Sequence, residues 1–88
     1  MPSEADTNTV IRILTQTSLG HSPAGIAANI AALTEAELTE PTVEAALDDL
    51  HDRGIVETLD DTDYYRLTDH GRDYATAELG ENVIGYVD

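Results

Sequence analysis

The chain has 88 residues, 18 of which are Asp or Glu, against four Arg and no Lys or Cys. This length predicts a single domain, residues 1–88, with a modest core. Without Cys, neither a disulfide framework nor a thiolate site can form, and a reducing cytoplasm is the simplest setting. No apolar run approaches the roughly 18 residues of a membrane span, and the N-terminus lacks the pattern of a signal sequence. We therefore expect a soluble, cytoplasmic protein that binds no membrane.

The acidic residues are spread along a chain with regular apolar periodicity, which is typical of a folded domain with a charged surface. Mutual repulsion among these carboxylates destabilises the compact state, and salt relieves it because the Debye length falls to about 3 Å at 1 M. An acid-rich composition without lysine resembles that of proteins from halophilic archaea, which keep concentrated salt in the cytoplasm. An acidic protein from an ordinary cytoplasm is the alternative.

The first predicted element is a helix that follows a frayed segment, Met1–Ala5. Asp6 or Thr7 can cap it, and the helix is predicted to run to about Ser18. A strand is the alternative for its β-branched residues, but the apolar period favours a helix. Its inner stripe is predicted to consist of Val10, Ile13, Leu14 and Thr17.

A second helix is predicted to begin at Pro23, with Ser22 as its N-cap, after a turn or one-bridge strand at Leu19–His21. Thr34 and Glu37 then have the spacing of a capping box, which predicts an extra helical turn before the third helix. The residues of the second helix predicted to face inward are Ile26, Ala27, Ile30, Ala31 and Leu33.

The third helix is predicted to extend from Thr39 to Arg53 and to end at Gly54. Thr39 is a favourable N-cap, and Pro41 lies in the first turn, where a missing N–H removes no intrahelical hydrogen bond. Gly54 can adopt the left-handed conformation that closes a helix. The predicted buried stripe is Val43, Ala46, Leu47 and Leu50.

Two short apolar runs, Ile55–Leu59 and Tyr64–Leu67, predict a β-hairpin closed by the acidic link Asp60–Asp63. A last helix is predicted from Asp69 to about Leu79, with Thr68 as its N-cap and Gly80 as its stop.

An apolar C-terminal tail, residues 80–88, follows the last helix. Because the core is small, we expect the tail and the last helix to join two chains in a homodimer. The candidate interface residues are Tyr74, Leu79, Val83, Ile84, Tyr86 and Val87.

The elements in this order predict a mostly helical α+β fold with three helices, a two-stranded hairpin and a C-terminal helix. Four segments carry a resemblance to known proteins, namely Ser22–Ala27, Thr42–Val43 with Leu47 and Leu50, Asp52–Val56, and Leu67–Arg72. Together they resemble winged helix-turn-helix transcriptional regulators of the MarR and PadR kind, over roughly residues 8–79, and small haloarchaeal phage-repressor-like proteins are a similar subgroup. The resemblance implies that the third helix enters the DNA major groove and that the hairpin contacts the DNA backbone or minor groove, often in a dimer.

Five positions match the groove-facing ones of that family, and three of them are acidic. The positions are Glu40, Pro41, Glu44, Ala45 and Asp48. Carboxylates can accept a hydrogen bond from cytosine N4, but phosphates repel them, so much of the usual electrostatic affinity is lost. Hydroxyls and arginines are the donors that remain. The candidate DNA-binding residues are Thr39, Thr42, Glu44, Asp48, Arg53, Arg66 and Arg72.

Other chemistry has little support in the sequence. His21, His51 and His70 have no paired spacing, and Asp60–Asp63 lacks the glycine and the distal glutamate of a calcium loop. No nucleophile elbow or phosphate loop is present. We therefore expect no metal, no cofactor and no enzymatic activity.

Two functions remain open. The first is a transcriptional regulator that binds double-stranded DNA in high salt, with residues 39–53 as the recognition helix and residues 55–68 as the wing. The alternative is a winged-helix module that binds a protein partner through its acidic third helix and does not bind DNA directly.

Overall fold

A computed structural model of the chain describes residues 3–16, 19–34, 38–60 and 62–80. Within these ranges the predicted order of three helices, a two-stranded antiparallel hairpin and a C-terminal helix is confirmed, and the fold is mostly helical α+β. The elements are α1 (Glu4–Leu14), α2 (Pro23–Leu33), α3 (Glu40–Asp52), β1 (Val56–Thr58), β2 (Tyr65–Leu67) and α4 (Asp69–Leu79).

Helix α1 begins earlier than the sequence predicted. Ser3 is its N-cap, and its side chain accepts a hydrogen bond from the backbone N–H of Asp6 at 3.1 Å. The predictions of a cap at Asp6 or Thr7 and of a frayed segment that includes Glu4 are therefore wrong. Serine caps a helix as well as aspartate does, and Asp6 is favourable inside the first turn, near the positive end of the helix dipole.

Helix α1 also ends earlier than predicted, at Leu14, with Thr15 as its C-cap. The Thr15 hydroxyl is buried and donates to the backbone carbonyl of Arg12 at 2.6 Å. Such a bond competes with regular helix continuation, because the side chain occupies a backbone acceptor. The predicted helical residues Thr17 and Ser18 lie outside the described residues.

The core lies where α1 contacts α2, α3, α4 and β2. Because several elements surround α1, its buried stripe is wider than the predicted one and includes Ile11, which is fully buried. Ala31 of α2, predicted to face inward, is exposed. The fully buried side chains that α1, α2 and α3 contribute include Val10, Ile11, Ile26, Ile30, Val43, Ala46, Leu47 and Leu50.

The predicted helix boundaries of α2, α3 and α4 agree with the structure because their caps are formed. The side chains of Ser22, Thr39 and Thr68 each accept a hydrogen bond from the backbone N–H three residues later. Gly54 and Gly80 follow α3 and α4 with φ of 75° and 67°, the left-handed conformation that glycine adopts without steric cost. The predicted extra turn at residues 34–37 falls mostly outside the described residues.

The hairpin pairs Val56 with Leu67 and Thr58 with Tyr65. His21 forms an isolated antiparallel bridge with Tyr65, through N–H···O bonds of 2.9 and 2.8 Å, so the predicted one-bridge strand is present. The short segment between α1 and α2 therefore lies against β2 and fixes the hairpin relative to the helices.

Helix α4 approaches the start of the hairpin closely at Gly71. A side chain added at Gly71 would overlap with the backbone carbonyl oxygen of Ile55 and come within 3.1 Å of Leu67 Cδ2. The same carbonyl accepts a hydrogen bond from the Thr68 backbone N–H at 3.0 Å. Glycine is thus required here by a close approach of two backbones.

A membrane-spanning helix is not found among the described residues, since each helix there is too short or too polar to cross a bilayer.

Candidate nucleic-acid interface

The exposed side of α3 carries the residues that the sequence predicted to face DNA. Glu44 and Asp48 are exposed on the side opposite the buried stripe, and Glu40 and Ala45 are exposed beside them. We call residues 39–42, 44, 45 and 48, all exposed except the half-buried Thr42, the acidic α3 face. Its three carboxylates lie at successive i, i+4 positions, so they form one row along the helix.

The two hydroxyls of the acidic α3 face lie at its N-terminal end and are bonded to each other. Thr39 Oγ1 and Thr42 Oγ1 are 2.9 Å apart, and Thr39 Oγ1 also receives the backbone N–H of Thr42 at 3.4 Å. Thr39 is exposed and Thr42 half-buried. The structure brings these two candidate donors together, but part of their hydrogen-bonding capacity is used in capping the helix.

Arg53 lies at the opposite end of α3, about 20 Å from Thr39 at 1.5 Å per residue. Its guanidinium contacts Asp49 Oδ2 at 3.2 Å and lies 5.5 Å from the ring centre of Tyr74. Burial alone would lower the pKa of Arg53, but its interactions with Tyr74 and Asp49 more than offset this and raise the pKa above its usual value. The residue joins α3 to α4 and is not part of the acidic α3 face.

Arg66 is exposed on β2 and pairs with Glu57 on β1, with 2.9 Å between Arg66 Nε and Glu57 Oε2. Because successive side chains of a strand alternate, Arg66 lies on the opposite sheet face from Tyr65 and Leu67. Arg72, in contrast, is buried in α4, with only 9% of its surface exposed. With so little accessible surface, Arg72 is a poor candidate for a phosphate contact in this conformation.

Tyr65 of β2 lies close enough to the acidic α3 face to feel its charges, although the sequence reasoning did not select it. Burial raises the pKa of the Tyr65 hydroxyl, and the negative charges of Asp48, Asp63 and Glu44 raise it further. Three carboxylates from two elements therefore lie near one half-buried ring. The signal in the sequence was the position of Tyr65 two residues before Leu67, which places both side chains on the inner sheet face.

In the described part of the hairpin link, Thr62 forms two local hydrogen bonds. Thr62 donates its hydroxyl to the carbonyl of Leu59 at 3.0 Å and accepts the backbone N–H of Tyr64 at 3.1 Å. Asp60 and Asp63 are exposed on either side of it, while Asp61 lies outside the described residues. Nowhere in the described part of the chain do three His, Asp or Glu side chains converge into a group that could hold a metal ion.

The candidate dimer residues are only partly described. Tyr74 and Leu79 are half-buried and pack against the core of their own chain. The other four candidates, Val83, Ile84, Tyr86 and Val87, lie outside the described residues. The structure therefore describes only two of the six candidate interface residues, Tyr74 and Leu79, and each keeps part of its surface exposed.

A comparison of the sequence with known proteins finds no family model that matches the chain and no curated protein that is significantly similar to it.

Proposed function

We propose that the protein is a winged-helix transcriptional regulator that binds double-stranded DNA in a cytoplasm with concentrated salt. The observation that carries this proposal is the exposed N-terminal half of α3 beside a hairpin that the His21–Tyr65 bridge fixes in position. A helix followed by a β-hairpin in this order is the arrangement that presents a recognition helix and a wing to DNA. Thr39 and Thr42 supply hydroxyls at the end of the helix that would enter the groove first.

The acidic α3 face makes this binding dependent on salt. A carboxylate and a phosphate about 6 Å apart repel each other by about 0.7 kcal/mol in bulk water. Screening reduces that repulsion to about 0.4 kcal/mol at 0.1 M salt and to about 0.1 kcal/mol at 1 M, where the Debye length is about 3 Å. Several carboxylate–phosphate pairs therefore oppose binding strongly in dilute buffer and only weakly in molar salt. Hydrogen bonds, DNA shape and apolar contact then supply the affinity.

A protein-binding module is the second candidate function. The observation that favours it is the arrangement of charges. Arg53 and Arg66 contact carboxylates, Arg72 is buried, and the carboxylates of Asp48, Asp63 and Glu44 act on Tyr65. Such a surface is complementary to a basic partner. In this case α3 would bind that partner and not DNA.

Titration of a labelled duplex from dilute to molar KCl tests the leading proposal. We expect no binding in dilute buffer and measurable binding as KCl rises, which is opposite in sign to the usual dependence on salt. Glu44→Gln removes one charge from the acidic α3 face and should strengthen non-specific binding and flatten this dependence. Glu78→Gln is the matched control. Glu78 is exposed on α4, so this substitution removes an equal charge from a site away from the acidic α3 face.

The two candidate functions differ in what Glu44→Gln does. If neither the original protein nor the variant binds DNA at any salt concentration, the regulator proposal is wrong. The interaction module then predicts that Glu44→Gln weakens binding of a lysine-rich probe peptide, while Glu78→Gln leaves it unchanged.

A further inference from the structure

The acidic α3 face has an unusual balance of hydrogen-bonding groups. The carboxylates of Glu44 and Asp48 accept hydrogen bonds and, when ionised, donate none. The hydroxyls of Thr39 and Thr42 are bonded to each other. Arg53 is at the other end of α3 and contacts Asp49. The middle of the acidic α3 face therefore presents acceptors, where most recognition helices present donors.

The edges of the bases differ in what they offer to such a surface. In the major groove guanine presents two acceptors, N7 and O6, and thymine presents O4, all of which a carboxylate repels. Cytosine presents the N4 amino group as a donor with an acceptor on one side, the paired guanine O6, whereas the N6 donor of adenine lies between two acceptors, its own N7 and the paired thymine O4. Among the four bases, cytosine is thus the best match for a carboxylate that approaches alone.

We propose that Glu44 is a specificity-determining residue that accepts a hydrogen bond from cytosine N4, so that the protein prefers sites with a cytosine at the position Glu44 reaches. This inference rests on the proposed DNA-binding function. Glu44 lies in the second turn of α3 and is exposed, and its neighbour Ala45 is small and leaves room for a base edge. Asp48 lies one turn further, about 6 Å along the axis, and faces a base about two steps away.

A selection of duplexes from a random pool in molar KCl tests this inference. We expect the original protein to enrich a site with a cytosine at one fixed position. Glu44→Gln should change that preference to adenine, because a glutamine amide can pair with both N6 and N7 of adenine. Glu78→Gln, which removes one negative charge from α4, should still enrich the site that the original protein selects. Circular dichroism of both variants checks that they remain folded.

A modified base provides a second measurement. Replacing the selected cytosine with N4-methylcytosine keeps the base pair. The methyl group replaces the amino hydrogen that faces the major groove, which is the hydrogen that Glu44 would accept. Affinity of the original protein should fall about fivefold or more, the range for loss of a specific base contact, while Glu44→Gln should respond little.

The outcomes separate the two proposals. If a site is enriched but has no preferred cytosine, or if N4-methylation changes the affinity of the original protein less than twofold, the inference about Glu44 is wrong and DNA binding stands. If no duplex is enriched at any salt concentration, the DNA-binding proposal and the inference both fail.

Discussion

Gly71→Ala should destabilise the protein, although alanine normally favours a helix. Gly71 is the third residue of α4, and its backbone N–H donates to Thr68 Oγ1 at 2.9 Å. Helix propensity alone predicts that alanine stabilises such a position by about 1 kcal/mol. The new methyl group, however, would overlap with the carbonyl oxygen of Ile55, which is backbone and cannot rotate away.

The expected loss of stability can be calculated from the movement that the new methyl group requires. Separating α4 from the start of the hairpin costs about 1–3 kcal/mol for overpacking. The Thr68–Ile55 hydrogen bond, 3.0 Å long, is strained by the same movement and adds about 1 kcal/mol. After the gain in propensity is subtracted, we expect a net loss of about 2 kcal/mol, which lowers the melting temperature of a domain of this size by roughly 8–16 °C.

Gly25→Ala is the matched control, because Gly25 is also the third residue of its helix and its N–H also donates to the N-cap side chain. An added Cβ there comes within 3.3 Å of the Ser22 hydroxyl, a side-chain atom that needs to move by only a few tenths of an ångström. The stability of this variant should therefore stay within about 1 kcal/mol of that of the original protein. Thermal unfolding in molar KCl, followed by circular dichroism, compares the three proteins. A Gly71→Ala variant that melts at the original temperature or above would refute the steric reasoning.

Three further predictions concern salt, assembly and pH. The melting temperature should rise as KCl increases from dilute buffer to molar concentration, because screening weakens carboxylate repulsion, and a flat or falling series contradicts the halophilic interpretation. Deletion of residues 81–88 should convert a dimer to a less stable monomer in sedimentation experiments at high salt, and a full-length monomer at tens of micromolar contradicts this. Because the pKa of Tyr65 is raised in the folded protein, the contribution of Tyr65 to stability is fully present below pH 10.0, the ordinary value, and is lost as pH rises through the folded pKa, since the unfolded chain releases the proton first. Tyr65→Phe should reduce that loss, so equal slopes of unfolding free energy against pH in the two proteins would contradict the assignment.

The helix boundaries could be predicted where the sequence offers one favourable N-cap residue and no competing cap nearby. Ser22, Thr39 and Thr68 each stand alone as a good cap before an apolar pattern, and each forms the cap hydrogen bond. The start of α1 could not be predicted in the same way, because Ser3 and Asp6 are both good caps within one turn and the sequence does not rank them.

The candidate interface was less predictable, since its charges depend on contacts between distant residues. That Arg53 lies over the ring of Tyr74 depends on where the chain returns after the hairpin, which no periodicity specifies. Arg72 was selected by resemblance, yet it has helical spacing with buried Ala75 and half-buried Leu79, at i+3 and i+7, and this spacing was a sign of burial. The exposure of Glu44 and Asp48 was predictable because the buried stripe of α3 is regular.

The bridge between His21 and Tyr65 also determines which parts of the chain can open separately. Its two hydrogen bonds close a loop of about 44 residues, whereas the facing pair Glu57 and Arg66 closes one of about nine. Closing the longer loop costs about 1.4 kcal/mol more chain entropy, so the hairpin can form before the bridge does. Hydrogen exchange at the Tyr65 amide therefore reports when the N-terminal helices separate from the hairpin, and exchange at the Arg66 amide reports when the hairpin itself opens.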